Sequence, residues 1–243
     1  MKIKILVLSL FTLVQSSSNA QISLRPYVGL NYSGFYFPKP DFYNDYSSEM
    51  KTQWQDEKDK FNYRPLLNAG FHVDIPISDY FSMETGLRFI QKGGVYKDLE
   101  DDGFGYMLKF ENRMRYDVIE VPILLNYNME IGDAILTISG GPTVGGIVNL
   151  RQKIAITESF DGETYSETFD TKEDAELKND LLSEINRFDL GANLGVRLDY
   201  YNFSFGLNYG SSFLSIAEDT VDEEFVPYFQ NYQFTVGYKF ELD

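Results

Sequence analysis

The chain has 243 residues, with 37 acidic and 21 basic side chains, a net charge of −16 and no cysteine. That balance excludes nucleic acid as a partner, because phosphate binding needs a basic footprint. The missing cysteine excludes disulfides, thiolate metal sites and a lipidated N-terminal Cys.

Residues 1–20 read as an export signal: Lys2 and Lys4, a short apolar run from Ile5 to Val14, then small residues through Ala20. The run is too short for a membrane helix, which needs about 20 apolar residues. A cleaved signal peptide leaves residues 21–243 as one domain.

Eight segments then alternate with the period of a strand. The first, about Ser23 to Tyr36, sets Val28, Leu30 and Tyr32 against Tyr27, Gly29, Asn31 and Ser33. The second, about Pro65 to Ile77, sets Leu67, Phe71, Val73 and Ile75 against Asn68, Gly70, His72 and Asp74. The third, about Tyr80 to Lys92, sets Phe81, Met83, Leu87 and Phe89 against Ser82, Glu84, Gly86 and Arg88. The fourth sets Ile119, Val121, Ile123, Leu125 and Tyr127 against Glu120, Pro122, Leu124 and Asn126. The fifth, about Ala134 to Asn149, sets Leu136, Ile138, Val144 and Val148 against Thr137, Ser139, Gly141 and Thr143. The sixth, about Arg187 to Tyr200, sets Leu190, Leu194, Val196 and Leu198 against Asp189, Asn193, Arg197 and Asp199. The seventh, about Asn202 to Ser212, sets Phe203, Phe205 and Leu207 against Ser204, Gly206 and Asn208. The eighth, about Asn231 to Leu242, sets Tyr232, Phe234, Val236, Tyr238 and Phe240 against Gln233, Thr235, Lys239 and Glu241.

Short links at Ser78-Asp79, Asn128 to Asp133 and Tyr200 to Asn202 alternate with long ones at Phe37 to Arg64, Gly93 to Arg115, Leu150 to Asn186 and Phe213 to Gln230. That layout belongs to an outer-membrane barrel. A soluble lipocalin-like barrel also alternates, with its apolar face inward. Three features favour the membrane form. The strands suit the about 9 to 11 residues that cross the hydrocarbon. Aromatics cluster at both ends of the apolar face: Tyr80, Phe81, Tyr127, Tyr201, Phe203 and Phe240 near the short turns, Tyr36, Tyr63, Phe188, Phe213 and Phe229 near the long loops. The other face mixes Gly, Asn, Ser, Thr and both charges, a poor lining for a lipid pocket. The expected fold class is all-β: an eight-stranded antiparallel transmembrane β-barrel with four long extracellular loops and short periplasmic turns. The expected location is the cell outer membrane, with both termini periplasmic. Pro122 removes a ladder donor and predicts a local bulge.

"VIEVPILLNYN" resembles the glutamate-then-proline strand of the PorT-like outer-membrane β-barrel proteins of the Bacteroidetes. "SGGPTVGGIV" (139–148), "FDLGANLGVRLDY" (188–200) and "YQFTVGYKF" (232–240) resemble that family's later strands in the same order. The resemblance implies an eight-stranded outer-membrane barrel. It does not imply one function: a founding relative is tied to type IX secretion, and most members are labelled porin-like.

The inward charges are the candidate site: His72, Asp74, Glu84, Arg88, Glu120, Asp189, Arg197, Asp199 and Lys239, with Arg25 and Glu241 on the same face. With a tight turn at Ser78-Asp79, His72 falls opposite Glu84. An eight-stranded bore holds side chains and little else, so a plug of paired charges outweighs a proton relay or gated path. Catalysis finds no support, since the only histidine is His72 and a serine nucleophile needs a base within reach. "DLEDDG" (98–103) starts like a calcium loop, but its twelfth position is Lys109, not Glu, and an acidic turn is the expectation. No cofactor and no metal are expected.

In the long loops, Asp161-Gly162 signals a hairpin that prolongs the fifth and sixth strands as a ribbon. Thr171 to Ile185 reads as a helix, with Thr171 and Asp174 as a capping-box variant and Leu177, Leu181 and Ile185 as its stripe. Met50 and Trp54 mark a helix capping the mouth. The expected partners are outer-membrane lipid, the barrel-insertion machinery, and an envelope or secretion protein met through loops 150–186 and 213–230. The function read from all this is structural or interactive, with narrow or gated passage of small solutes as the alternative.

Overall fold

The computed structural model describes residues 21–102, 104–161, 163–172, 174–183, 185–216 and 226–242; the expected signal peptide lies outside the described residues. The strands are β1 (Ser23–Tyr36), β2 (Phe61–Asn62), β3 (Arg64–Pro76), β4 (Phe81–Asp101), β5 (Tyr106–Ile131), β6 (Ala134–Phe160), β7 (Glu163–Asp170), β8 (Phe188–Tyr200), β9 (Phe203–Ser212), β10 (Tyr228–Tyr238) and β11 (Phe240–Glu241). Eight of them close a ring, β1-β3-β4-β5-β6-β8-β9-β10 and back to β1, every pairing antiparallel. The fold is an eight-stranded transmembrane β-barrel.

Period two decides which way each side chain points. Val28, Leu30, Leu67, Ile123, Leu125, Leu194, Leu207 and Phe234 are exposed on the outside. On the inner face of the wall Asn31, Asn68, Glu84, Glu120, Asn126 and Asn193 are almost wholly buried. A globule in water would reverse this. Here an apolar solvent surrounds the wall, and the polar side chains satisfy one another within it. Gly86 shows how tightly the wall is drawn, since a Cβ there would sit 2.0 Å from the Phe71 carbonyl oxygen.

The connections at one end are tight. Gly132 takes φ +61° between β5 and β6, and Tyr201 takes φ +51° between β8 and β9. Between β3 and β4, the amides of Ile77 and Ser78 both donate to the Phe81 carbonyl, at 2.8 and 3.0 Å. This loop is longer than Ser78-Asp79 alone, and the register sets Asp74, not His72, opposite Glu84.

At the other end the strands are not of equal height. β5 and β6 have 26 and 27 residues, more than twice the about 9–11 that span the hydrocarbon. The stretch Gly93 to Arg115 is therefore not a loop: β4 and β5 pair through it, from Gly93↔Arg115 to Asp101↔Met107. The hairpin at Asp161 exists as β6 and β7, paired from Lys153↔Asp170 to Phe160↔Glu163, but its second arm is not the sixth barrel strand: β7 ends at Asp170, and β8 begins only at Phe188. A wall of β4 to β7 thus stands above one side of the barrel, while β1, β8, β9 and β10 stop near the rim.

Pro122 makes no bulge. β4 and β5 keep one offset on either side of it, Thr85↔Ile123 and Arg88↔Glu120. The register shift lies at Asp117/Val118, opposite Val148, the unpaired extra residue of β6. The shift turns both Ile147 and Leu150 inward, where they are buried. The apolar core sits here, at the mouth. Phe35, Phe37, Ile90, Tyr116, Val118, Ile147, Leu150, Ile216 and Phe229 pack with Trp54 of helix α1 (Ser48–Asp59) and Leu182 of helix α2 (Ala175–Ser183). Phe229 is therefore a core residue and not part of the outer girdle. Ser47 caps α1 by accepting from the Met50 amide at 3.2 Å; Trp54 is buried and Met50 exposed. Thr171 does not cap α2. Its hydroxyl accepts from the Gln152 amide at 3.0 Å and fastens the ribbon instead.

Candidate functional site

The bore is filled by charge in two layers. In the layer nearer the short turns, Arg25 of β1 lies 3.4 Å from Asp74, 3.4 Å from Glu84 and 3.3 Å from Asp199. Arg197 of β8 lies 3.0 Å from Asp74 and 3.1 Å from Asp199, and its guanidinium also donates to Glu84. β3 and β8 are diametrically opposed in the eight-strand ring, so the Arg197–Asp74 pair closes the full width of the bore. His72 reaches Glu84 diagonally, Nδ1 to Oε1 at 3.1 Å, with its ring 4.5 Å from that of Tyr27. The Ser204 hydroxyl donates to Asp199, and the Asn126 amide donates to Asp74 at 3.3 Å.

The second layer is nearer the mouth. Arg88 donates to Glu120 at 2.5 Å, and Lys92 bridges Glu120 at 2.5 Å and Asp189 at 2.6 Å. These groups come from β4, β5 and β8. Between and around the layers lie buried amides: Asn68 donates to Gln233 at 3.3 Å, Gln233 to Asn231 at 2.8 Å, and Asn31 to the Gln91 carbonyl at 2.6 Å.

Eight of the nine candidate residues therefore join this interior network. Lys239 does not. It follows β10 at the rim, 3.1 Å from Glu241, and lines a polar cavity of about 730 Å³ below the first charge layer with Arg25, Asp74, Arg197 and Asp199. Lys92 also belongs to the network. Continuing the period from Glu84 and Arg88 through Ile90 reaches it, and only the apolar Ile90 interrupts the polar run.

Above the second layer the apolar core leaves a cavity of about 480 Å³ lined chiefly by Phe35, Phe37, Phe61, Met114, Tyr116 and Leu150. The Lys92 ammonium sits 5.4 Å from the centre of the Phe229 ring, at the junction between core and charge layer. Outside the bore, Asp98 pairs with Lys60 at 3.0 Å, and Asp102 accepts from the amides of Phe104 and Tyr106 at 2.7 and 3.1 Å. Asp98 and Asp102 of "DLEDDG" are thus taken up by an ammonium and by a turn. Lys60 also pairs with Glu57 at 2.6 Å, and that bond, more than Asp98, raises its pKa above the ordinary lysine range.

Three comparisons bear on identity. The family described as an outer membrane protein β-barrel domain matches residues 13–218. No curated protein matches the chain. Among solved structures, the chain is similar to Ail, the attachment invasion locus protein of Yersinia pestis, at 12% identity over 91% of this chain and 99% of that one, with a TM-score of 0.35. It is also similar to the N-terminal β-barrel domain of Pseudomonas aeruginosa OprF, at 11% over 91% and 100%, TM-score 0.33. The outer membrane protein OprG of the same organism gives 10% over 92% and 96%, TM-score 0.34.

Proposed function

The chain belongs to the outer membrane protein β-barrel domain family, and from that premise we propose that it is a closed, non-enzymatic barrel that holds an extramembrane wall at the cell surface. On this reading the long strand ends, the helices α1 and α2 and the loops 150–186 and 213–230 face outward and meet an envelope or secretion partner. The short turns and both termini face the periplasm.

One observation carries the closed bore: Arg197 and Asp74, 3.0 Å apart, belong to opposite strands. An ion crossing at that level must first separate a buried ion pair, and the apolar core at the mouth adds a second barrier. Reconstitution of the mature chain in planar bilayers tests this. The expected result is a baseline without steady openings; large steady openings would overturn it. Cavities on both sides of the charge layers favour a second reading, a gated passage for small solutes, and brief voltage-dependent openings would support that one.

A further inference from the structure

We infer that the outward face of β5 and β6, just beyond the apolar band, is a docking surface for a lipid headgroup that carries two phosphates. The inference rests on the reading that the long strand ends point outward. The apolar band ends sharply on this side of the barrel. Phe89, Ile119 and Val148 are followed on the outside by Gln91, Asp117 and Asn149, in which Gln91 and Asn149 donate to Asp117 at 3.1 and 2.6 Å. In a membrane this polar row marks the start of the headgroup layer.

The next two outward rows set base against base. Arg115 pairs in register with Arg151, and Arg113 with Lys153. Residues directly opposite lie about 5 Å apart, and like charges there are destabilising. Successive outward rows are about 7 Å apart. Four cations therefore occupy a small rectangle, in a chain whose net charge is −16. Arg64 lies close enough to feel Arg113, Arg115 and Arg151, and Lys97 and Lys109 extend the patch further from the membrane.

Local carboxylates offset only part of this. Arg115 pairs with Asp117 at 3.2 Å, Arg151 with Asp170 at 2.8 Å, and Arg113 with Glu111. Lys97, Lys109 and Lys153 make no ion pair among the described residues. A shallow hollow of about 200 Å³ opens here, lined by Lys109, Glu111, Arg113, Lys153, Thr157 and Thr168. Guanidinium groups bind phosphate oxygens through paired donors. Counted with Arg64, Lys97 and Lys109, the patch holds seven cations against the three carboxylates Glu111, Asp117 and Asp170, so a single phosphodiester leaves most of its excess charge unmet. Two phosphates on one headgroup, held at the height where the band ends, meet both rows.

The mature chain, folded in neutral detergent, is titrated with bisphosphorylated lipid A and followed by native mass spectrometry. Saturable one-to-one binding that weakens with salt is expected. The variant Arg113→Gln, Arg115→Gln, Arg151→Gln, Lys153→Gln should lose about tenfold or more in affinity, while Arg113→Lys, Arg115→Lys, Arg151→Lys, which keeps the charge and gives up the paired donors, should fall between that variant and the parent. Equal affinity in the glutamine variant overturns the inference. So does dioleoylphosphatidylglycerol binding as tightly as lipid A, which would mark general attraction to anionic lipid. Should the four-fold variant not fold, Lys153→Glu gives the same reading at a side chain with no ion pair to break: weaker binding supports the site, and unchanged binding overturns it. Ser166→Cys, on the exposed ribbon strand β7 and outside the docking rectangle, in a chain otherwise free of cysteine, separates this from the sidedness beneath it. Labelling of intact cells by an impermeant maleimide supports the outward assignment, and its absence overturns that assignment and the docking surface together.

Discussion

Replacing Arg197 with alanine removes a guanidinium that meets three carboxylates at once, Asp74, Glu84 and Asp199. Arg25 alone then faces all three, and the layer carries two uncompensated negative charges where there had been one. Arg25 and Glu84 are both almost wholly buried, so solvent cannot screen the excess. Deleting one partner of a buried pair costs about 3–5 kcal/mol, and the upper half of that range is expected because more than one carboxylate loses its partner. With a urea dependence of about 2 kcal/mol per M, the unfolding midpoint should fall by roughly 2 M. The measurement is urea unfolding of the barrel in phospholipid vesicles, read by electrophoretic mobility and by the fluorescence of Trp54, the only tryptophan. Replacing the group as a set, Arg197→Met with Asp74→Asn and Glu84→Gln, removes the charge imbalance and should recover at least half of the loss. A midpoint within about 0.3 M of the parent for Arg197→Ala would refute the claim that this layer holds opposite walls together.

Ile123 lies at the centre of the outward run from Ile119 to Tyr127, and Ile123→Arg should cost about 2–4 kcal/mol, seen as reduced insertion into vesicles. Trp54→Ala empties the joint between α1 and the mouth core; about 3 kcal/mol of local packing is lost, and limited proteolysis should cut residues 37–64 while the barrel stays heat-modifiable on gels. The Asp170 carboxyl is held at about 2, first by its hydrogen bond with Arg151 and then by the Lys172 amide. A depressed carboxyl stabilises above its unfolded value of 3.8 and ceases to do so as pH falls through its folded value. The protection of β7 amides from hydrogen exchange, taken relative to the intrinsic exchange rate at each pH, should therefore fall between about pH 4 and pH 2, and Asp170→Asn should flatten that change.

Sidedness was legible because period two survives wherever one face meets hydrocarbon and the other does not. Glu120 and Asn126 inside, Ile123 and Leu125 outside, follow from parity alone. The same signal vanishes beyond the rim, where both faces of β4 and β5 meet water. Lys97, Lys109, Glu111 and Arg113 then look like a loop although they form a regular hairpin. The bulge at Val148 is hidden for a related reason: Ile147 and Val148 are both apolar, so nothing in their order shows that one points inward and the other out. Phe229 shares its composition with girdle aromatics and differs only in parity, which the long link before β10 left undetermined. Pro122 needs no bulge. The wall absorbs one missing donor without changing register. Of the interior site, the members were legible but not the connections, because which strand lies opposite which is a property of the closed ring.

The uneven rim has its own consequence for crowding. β7 stands at the outer margin of the tall side and pairs only with β6 among the described residues, so its far backbone edge is open to strand addition. Glu163, Glu167 and Asp170 are strung along that margin. Two copies drifting together in the plane of the membrane would bring negative margins face to face, and mutual repulsion would keep them from zipping into a shared sheet. Neighbours of opposite charge would meet no such resistance, so the tall side sorts its company by sign.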